Sequence, residues 1–251
     1  MFEPFRDEEG RCSYELLAEQ TQALPRDGRV LDIGCGDGYL LALLAKQGFR
    51  QLVGVDRSPS ELAAARERLG PEVELHCQDA RTLPLPSHSV DMAVCHMALM
   101  VMDSPDAVLA EVARILRPGA FFVAAINRAF PDPAWQLFRR ERIRATSESG
   151  LGTLRLGNPK IYTEQGMREL LREQSFDAEH LVLQDLVVRT RATPLQLWSM
   201  YEPMYDVFRL PMSSREELLQ RVIVAWEPLI EEDGQLTADM GIRLIRCPSR
   251  K

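Results

Sequence analysis

The stretch Val30-Leu31-Asp32-Ile33-Gly34-Cys35-Gly36-Asp37-Gly38-Tyr39-Leu40-Leu41 constrains the fold more than any other part of the chain. It opens on β-forming residues, breaks into glycines at alternate positions, and resumes as an apolar run through Leu44. A buried parallel strand that feeds a tight turn and then a helix fits this order. Glycine lets backbone approach a ligand closely, and a helix start offers unpaired N–H groups to an anion.

The alternation continues downstream. Residues 29–33, 51–55, 73–77, 90–95 and 120–126 read as strands, with helices expected over 38–47, 59–69 and 105–116. Ser58-Pro59-Ser60-Glu61 combines an N-cap, proline at the first helical position and a capping-box glutamate. Repeated strand–helix units predict an α/β fold with a doubly wound, mostly parallel sheet covered on both faces. Ahead of them lie a charged, loose segment at residues 1–11 and a helix at 12–23 that stops before Pro25. After Asn127 the order changes. A basic helix is expected at 135–144, a Gly/Ser-rich loop at 147–157, and a Thr163-capped helix reaching Gln174. A strand at 180–189, an aromatic-rich helical stretch from Thr193-Pro194, a helix at 213–226 and a last strand near 241–246, with Leu236 as an alternative start, complete the chain.

Composition narrows the function classes. At 45% hydrophobic and 27% charged residues, the chain has the balance of an ordinary globular domain rather than a disordered one. A net charge of −7 argues against nucleic acid as the main partner, because phosphate binding needs a basic face. Cys12, Cys35, Cys77, Cys95 and Cys247 are scattered without a CxxC pair, and the four histidines lack ligand spacing. No metal site and no disulfide framework are expected, and a cytoplasmic setting is the default. Neither a signal peptide nor an apolar run of transmembrane length is expected.

Two ligands compete for the glycine turn. A dinucleotide site wants G-x-G-x-x-G, whereas the spacing here is G-x-G-x-G followed by Tyr39. Asp32 also puts a carboxylate where a pyrophosphate would be repelled. An amino acid fits better: Asp32 faces its ammonium, directly or through water, and the N–H groups of residues 34–38 take its carboxylate. Asp56, 22 residues beyond Gly34 at the end of a strand, suits a ribose diol, although an acid there also serves as an ordinary turn residue. Amino acid plus ribose points to S-adenosylmethionine.

Residues 30–44, Gly54-Val55-Asp56-Arg57-Ser58, Gln78-Asp79-Ala80 and Val90-Asp91-Met92-Ala93-Val94-Cys95-His96 together resemble the successive motifs of class I S-adenosylmethionine-dependent methyltransferases. The turn Arg117-Pro118-Gly119-Ala120 resembles the one that precedes the family's fifth strand. The resemblance covers residues 28–127 and implies a Rossmann-like core of seven strands closed by an antiparallel hairpin. It implies that Gly34, Gly36 and Gly38, with Cys35 among them, hold the methionine part of the donor. Asp56 and the adjacent Arg57 would lie at the ribose. Asp79 would bond the adenine amino group, with the Ala80 N–H at a ring nitrogen, and His96 would sit beside the transferable methyl.

Residues 1–27 then form an N-terminal helical segment, and 128–251 complete the sheet. Helical insertions at 128–160 and 191–233 would form a lid over a small acceptor, expected to be aromatic or heterocyclic and of the secondary-metabolite kind. Trp198, Tyr201, Tyr205 and Phe208 fall at helical spacing, as either a packing stripe or lid aromatics. Tyr14, Met97 and Met100 are further acceptor-side candidates, with core packing the alternative for the methionines. His96 is either a structural or donor contact or a general base. The reaction expected is in-line displacement onto an O, N or C nucleophile, with no metal and with alignment and water exclusion as the main catalytic effects. The rivals are an RNA methyltransferase, a non-catalytic S-adenosylmethionine-binding relative and, more distantly, a nicotinamide dehydrogenase.

Overall fold

The computed structural model describes residues 5–250 apart from residues 153 and 155. The expected alternation appears as β1 (Arg29–Ile33), α2 (Tyr39–Lys46), β2 (Gln51–Asp56), α3 (Pro59–Leu69), β3 (Glu74–Cys77), β4 (Val90–His96), α4 (Pro105–Ile115) and β5 (Leu116–Arg128), preceded by α1 (Ser13–Glu19). Then follow α5 (Pro133–Glu148), α6 (Glu164–Glu173), β6 (Val182–Ala192), α7 (Pro194–Tyr201), α8 (Tyr205–Phe208), α9 (Met212–Trp226) and β7 (Leu236–Pro248).

The strands form one seven-stranded sheet in the order β3-β2-β1-β4-β5-β7-β6. The first five are parallel; β7 lies antiparallel between β5 and β6. This is the Rossmann-like sheet with the closing hairpin that the sequence predicts. Chain order reverses between β1 and β4, and a crevice opens beyond the carboxyl ends of strands at such a switch point.

Period-two alternation sorts each strand's side chains between two cores. Val30, Met92 and Val94 pack with Leu16, Leu17, Leu40, Leu41, Phe138 and Trp226 on one face. Leu31, Ile33, Ala93 and Cys95 pack with Val108, Leu109, Val112 and Leu170 on the other. Ser58 and Thr163 cap α3 and α6, accepting from the Glu61 and Gly166 N–H groups.

Several boundaries moved. Helix α1 ends at Glu19, and hydrogen-bonded turns carry the chain on to Leu24. Residues 5–11 are held rather than loose: Phe5 is buried, Arg6 exchanges backbone hydrogen bonds with Arg189 on β6, and Arg11 donates to Asp7. Helix α5 is longer than expected because Asp132-Pro133 gives it an N-cap and a first-turn proline. The expected loop therefore begins after Glu148, and its residues 153 and 155 lie outside the described ones. Helix α4 ends at Ile115, and Arg117-Pro118-Gly119, expected as a turn before the fifth strand, sits inside β5 as a bulge, where pairing shifts from Val90↔Leu116 to Met92↔Phe121. β6 and β7 outrun their expected ends because each is the other's partner from Val182↔Arg246 to Ala192↔Leu236. Among the described residues, no helix is long and apolar enough to cross a membrane.

Candidate functional site

A cavity of about 660 Å³ opens at the carboxyl ends of β1, β2 and β4. That volume lies within the usual range of small-molecule sites. Its floor is the glycine turn. Gly34 adopts φ +69°, its N–H bonds the Val55 carbonyl at 2.8 Å, and a Cβ there would come within 2.5 Å of the Ala98 Cβ. No other residue keeps both that backbone conformation and that approach. The Gly36 N–H donates to Asp56 Oδ2 at 2.9 Å, and the Ser58 N–H donates to Asp56 Oδ1 at 2.8 Å. The Asp56 carboxylate is thus fixed by both flanking turns while it lines the cavity, and each oxygen keeps capacity for a further donor. Turn residue and ligand residue are compatible roles.

Arg57, Gln78, Asp79, Ala80 and Arg81, which follow β2 and β3, line the cavity, as do Val101 and Met102. Arg81 donates to both oxygens of Asp79, at 3.0 and 2.7 Å, and adds its backbone N–H; these bonds hold the carboxyl down at about 2. His96, Met97 and Ala98 line it from the end of β4, and Tyr205 and Phe208 line it from α8. Tyr205 and Phe208 are more than half exposed although they line the cavity, which places them at its mouth. Met97 leaves β4 in a left-handed conformation, φ +51°, with its N–H tied to the Ala125 carbonyl at 2.8 Å.

Burial pushes the imidazole of His96 down to about 3, so it is neutral at physiological pH. Its Nε2 lies 2.7 Å from Ser13 Oγ, and Tyr14 stacks on the ring at 3.6 Å between centroids. A ring this weakly basic, with Nε2 already engaged, is a poor general base. Tyr14 also meets Tyr39 edge-on at 4.8 Å.

The remaining sequence candidates sit outside the cavity. Asp32 alternates away from Leu31 and Ile33 and is buried beneath the turn. Desolvation first, and the Asp56 charge second, raise its carboxyl to about 8, and its Oδ1 has no partner. Cys35 is buried against Gly54, where a Cβ would fall 2.8 Å from its Sγ, and burial drives its thiol up. Gly38 (φ +76°) caps α2; a Cβ there would meet Leu69 Cδ1 at 2.7 Å and Ala65 Cβ at 3.2 Å, so its smallness serves the packing of α2 on α3. Met100 accepts the Asn127 N–H on its sulfur at 3.3 Å instead of facing the cavity. Trp198 and Tyr201 belong to an aromatic core with Trp135, Phe138 and Trp226, centroids 4.7 to 6.5 Å apart, and burial raises the Tyr201 phenol. The aromatic stripe therefore divides: α7 packs, and α8 lines the mouth. Sequence reasoning missed Ser13, which lies 83 positions from the histidine it meets and carries no local signal. Glu61, the capping-box residue of α3, and Ser104, which precedes α4, also line the cavity, and no local signal points there.

A family model described as "Methyltransferase domain" matches residues 31–124. The chain is 41% identical over 100 residues to a malonyl-[acyl-carrier protein] O-methyltransferase of Laribacter hongkongensis, covering 36% of this chain and 34% of that protein. It is 33% identical over 138 residues to a trans-aconitate 2-methyltransferase of Azoarcus sp., covering 54% and 52%. The chain thus spans about a third to a half of the length of these curated relatives. The crystal structure of the YcgJ protein of Bacillus subtilis superposes with a TM-score of 0.63, covering 95% of this chain and 98% of that one at 19% identity.

Proposed function

We propose that this chain, a class I S-adenosylmethionine-dependent methyltransferase, passes the donor's methyl to an O, N or C nucleophile of a small aromatic or heterocyclic acceptor. The observation that carries the reading is one cavity lined both by fixed polar groups, Asp56 and Asp79, and by His96, Met97, Tyr205 and Phe208. The residues fit the donor. Asp56 keeps acceptor capacity for a ribose diol, and Asp79, held ionised by Arg81, suits an adenine amino group with the Ala80 backbone beside it. Arg57 lines the same cavity. Gly34 and Gly36 leave room for the methionine part. Asp32, with its unpartnered buried oxygen, acts from beneath on the ammonium through water or the turn.

The donor supplies an electrophilic sulfonium methyl. The acceptor's lone pair forms the new bond to carbon as the C–S bond breaks, and the electron pair leaves on sulfur. The chain's part is to align the two, exclude water and let the acceptor's proton pass to solvent. His96 enters this scheme as a wall and contact, and its neutrality removes a charge that would repel the sulfonium.

The preference for a planar acceptor rests on the mouth. Tyr205 and Phe208 present their rings at the mouth, with the Arg215 guanidinium 5.5 Å over Phe208. Aromatic faces favour a planar partner. A cytoplasmic setting belongs to the same reading, supported by five free thiols.

Calorimetry with S-adenosylmethionine and S-adenosylhomocysteine tests the donor; no binding would sink the claim. Transfer of labelled methyl to phenols, heterocyclic amines, aliphatic di- and tricarboxylates and phosphatidylethanolamine vesicles tests the acceptor. Turnover of the carboxylates alone would overturn the aromatic assignment. Slow automethylation as the only product would favour the non-catalytic relative.

A further inference from the structure

We infer that Ser13 is a positioning residue: its hydroxyl fixes the His96 imidazole in one tautomer and orientation, so that the first turn of α1 supports the wall of the donor site from behind. The inference rests on the reading of the cavity given above.

His96 ends β4 and lines the cavity with Gly34 and Gly36. An imidazole at a strand end has χ2 freedom unless something holds it. Here two neighbouring residues do. Ser13, fully buried, holds Nε2 at 2.7 Å. Tyr14 lies on the ring face at 3.6 Å and 22° between planes. Tyr14 in turn meets Tyr39 of α2, which follows directly on the glycine turn. The first turn of α1 thereby touches both chain segments that leave the switch point, the one after β1 and the one after β4. Leu16, Leu17 and Ala18 of the same helix are buried in the core, so the turn is anchored rather than laid on the surface.

The hydroxyl is chemically suited to the task. It both donates and accepts: a hydroxyl that donates to Nε2 selects the Nδ1–H tautomer, and one that accepts selects the Nε2–H tautomer. Charges near the ring do not compete with this, because burial is what keeps the imidazole neutral. The hydrogen bond then fixes which nitrogen carries the proton, and hence what the ring offers to the sulfonium end of the cavity.

Long-range ¹H–¹⁵N spectra of ¹⁵N-histidine-labelled protein test this, since the chain has four histidines to resolve. The expected result is a single neutral tautomer for His96 between pH 5 and 8 on the order of the ring's depressed basicity. Ser13→Ala should mix the tautomers and weaken S-adenosylhomocysteine binding about threefold or more, and Ser13→Thr, which keeps the hydroxyl, should restore both. Comparable populations of two tautomers in the wild-type protein would overturn the inference, and that spectrum decides even if Ser13→Ala does not fold. A folded Ser13→Ala protein with one tautomer and unchanged affinity would overturn it as well. If wild-type protein fails to bind S-adenosylhomocysteine, the functional reading falls while the spectra still decide the role of Ser13.

Discussion

At the residue scale, the acids of this site differ in what surrounds them. Asp56 is tied to two backbone N–H groups and faces the cavity, so Asp56→Ala should weaken S-adenosylhomocysteine binding about tenfold or more, on the order of one to two charge-assisted hydrogen bonds. Unchanged affinity in calorimetry would remove Asp56 from the site. Asp32 behaves differently. Its carboxyl is raised to about 8 in the folded chain, against an ordinary value near 4 when unfolded. Below pH ~4 both states are protonated and the group costs nothing. As pH rises from ~4 to ~8 the unfolded state ionises first, so this group subtracts increasing stability across that window. Denaturant unfolding at pH 5 and pH 8 should show the decline, and Asp32→Asn should flatten it. The same reasoning makes donor binding release protons near pH 7 if the ammonium draws Asp32 into its ionised form; calorimetry in buffers of different ionisation enthalpy reads this directly. His96, neutral down to about 3, should leave no limb near its ordinary pKa in a pH–rate profile.

At the scale of elements, the insertion between β6 and β7 does two jobs with one kind of side chain. Helix α7 turns Trp198 into the aromatic core, so Trp198→Ala should cost about 3–5 kcal/mol in chemical denaturation without being a specific acceptor variant. Helix α8 is held at the mouth by the ion pair of Asp206 with Arg142 of α5, at 2.8 Å, with the guanidinium 5.8 Å over Trp135. Tyr205→Ala and Phe208→Ala should therefore raise the acceptor KM while leaving S-adenosylhomocysteine affinity within about twofold, the stacking loss being about 1 kcal/mol per ring. A parallel loss of donor affinity would show that α8 covers the donor instead. The glycine turn gives a matching contrast. Gly38→Ala should destabilise by about 1–3 kcal/mol, through a left-handed backbone and the clash with Leu69, and its effect should appear in unfolding before it appears in binding.

At the scale of the whole molecule, the sheet order places the ends of β1, β2 and β4 side by side, and the functional groups gather there from sequence positions as far apart as Gly34 and Phe208. The net charge of −7 belongs to this scale too. It predicts that homopolymer RNA is not retained even at low salt; salt-sensitive RNA binding in a filter assay would return an RNA acceptor to consideration.

The chain's local chemistry determined a good deal by itself. The strand–glycine–helix break at Ile33–Tyr39, the capped start at Ser58-Pro59 and the acid at residue 56 are readable because each depends on neighbours within a few positions, whereas Asp79 stands out only through the family resemblance. The five parallel strands are readable too, since their apolar runs alternate with helical ones. Only the tertiary structure decided which aromatic rings face the cavity. Trp198 and Tyr205 have similar propensity and helical spacing, and the break at Pro203 sends one inward and the other to the mouth. It also decided that Gly38 spaces two helices, that Asp32 lies beneath the turn, and that His96 is held by Ser13 from the far end of the chain. Those facts rest on contacts between distant segments, and spacing along the sequence carries no trace of them.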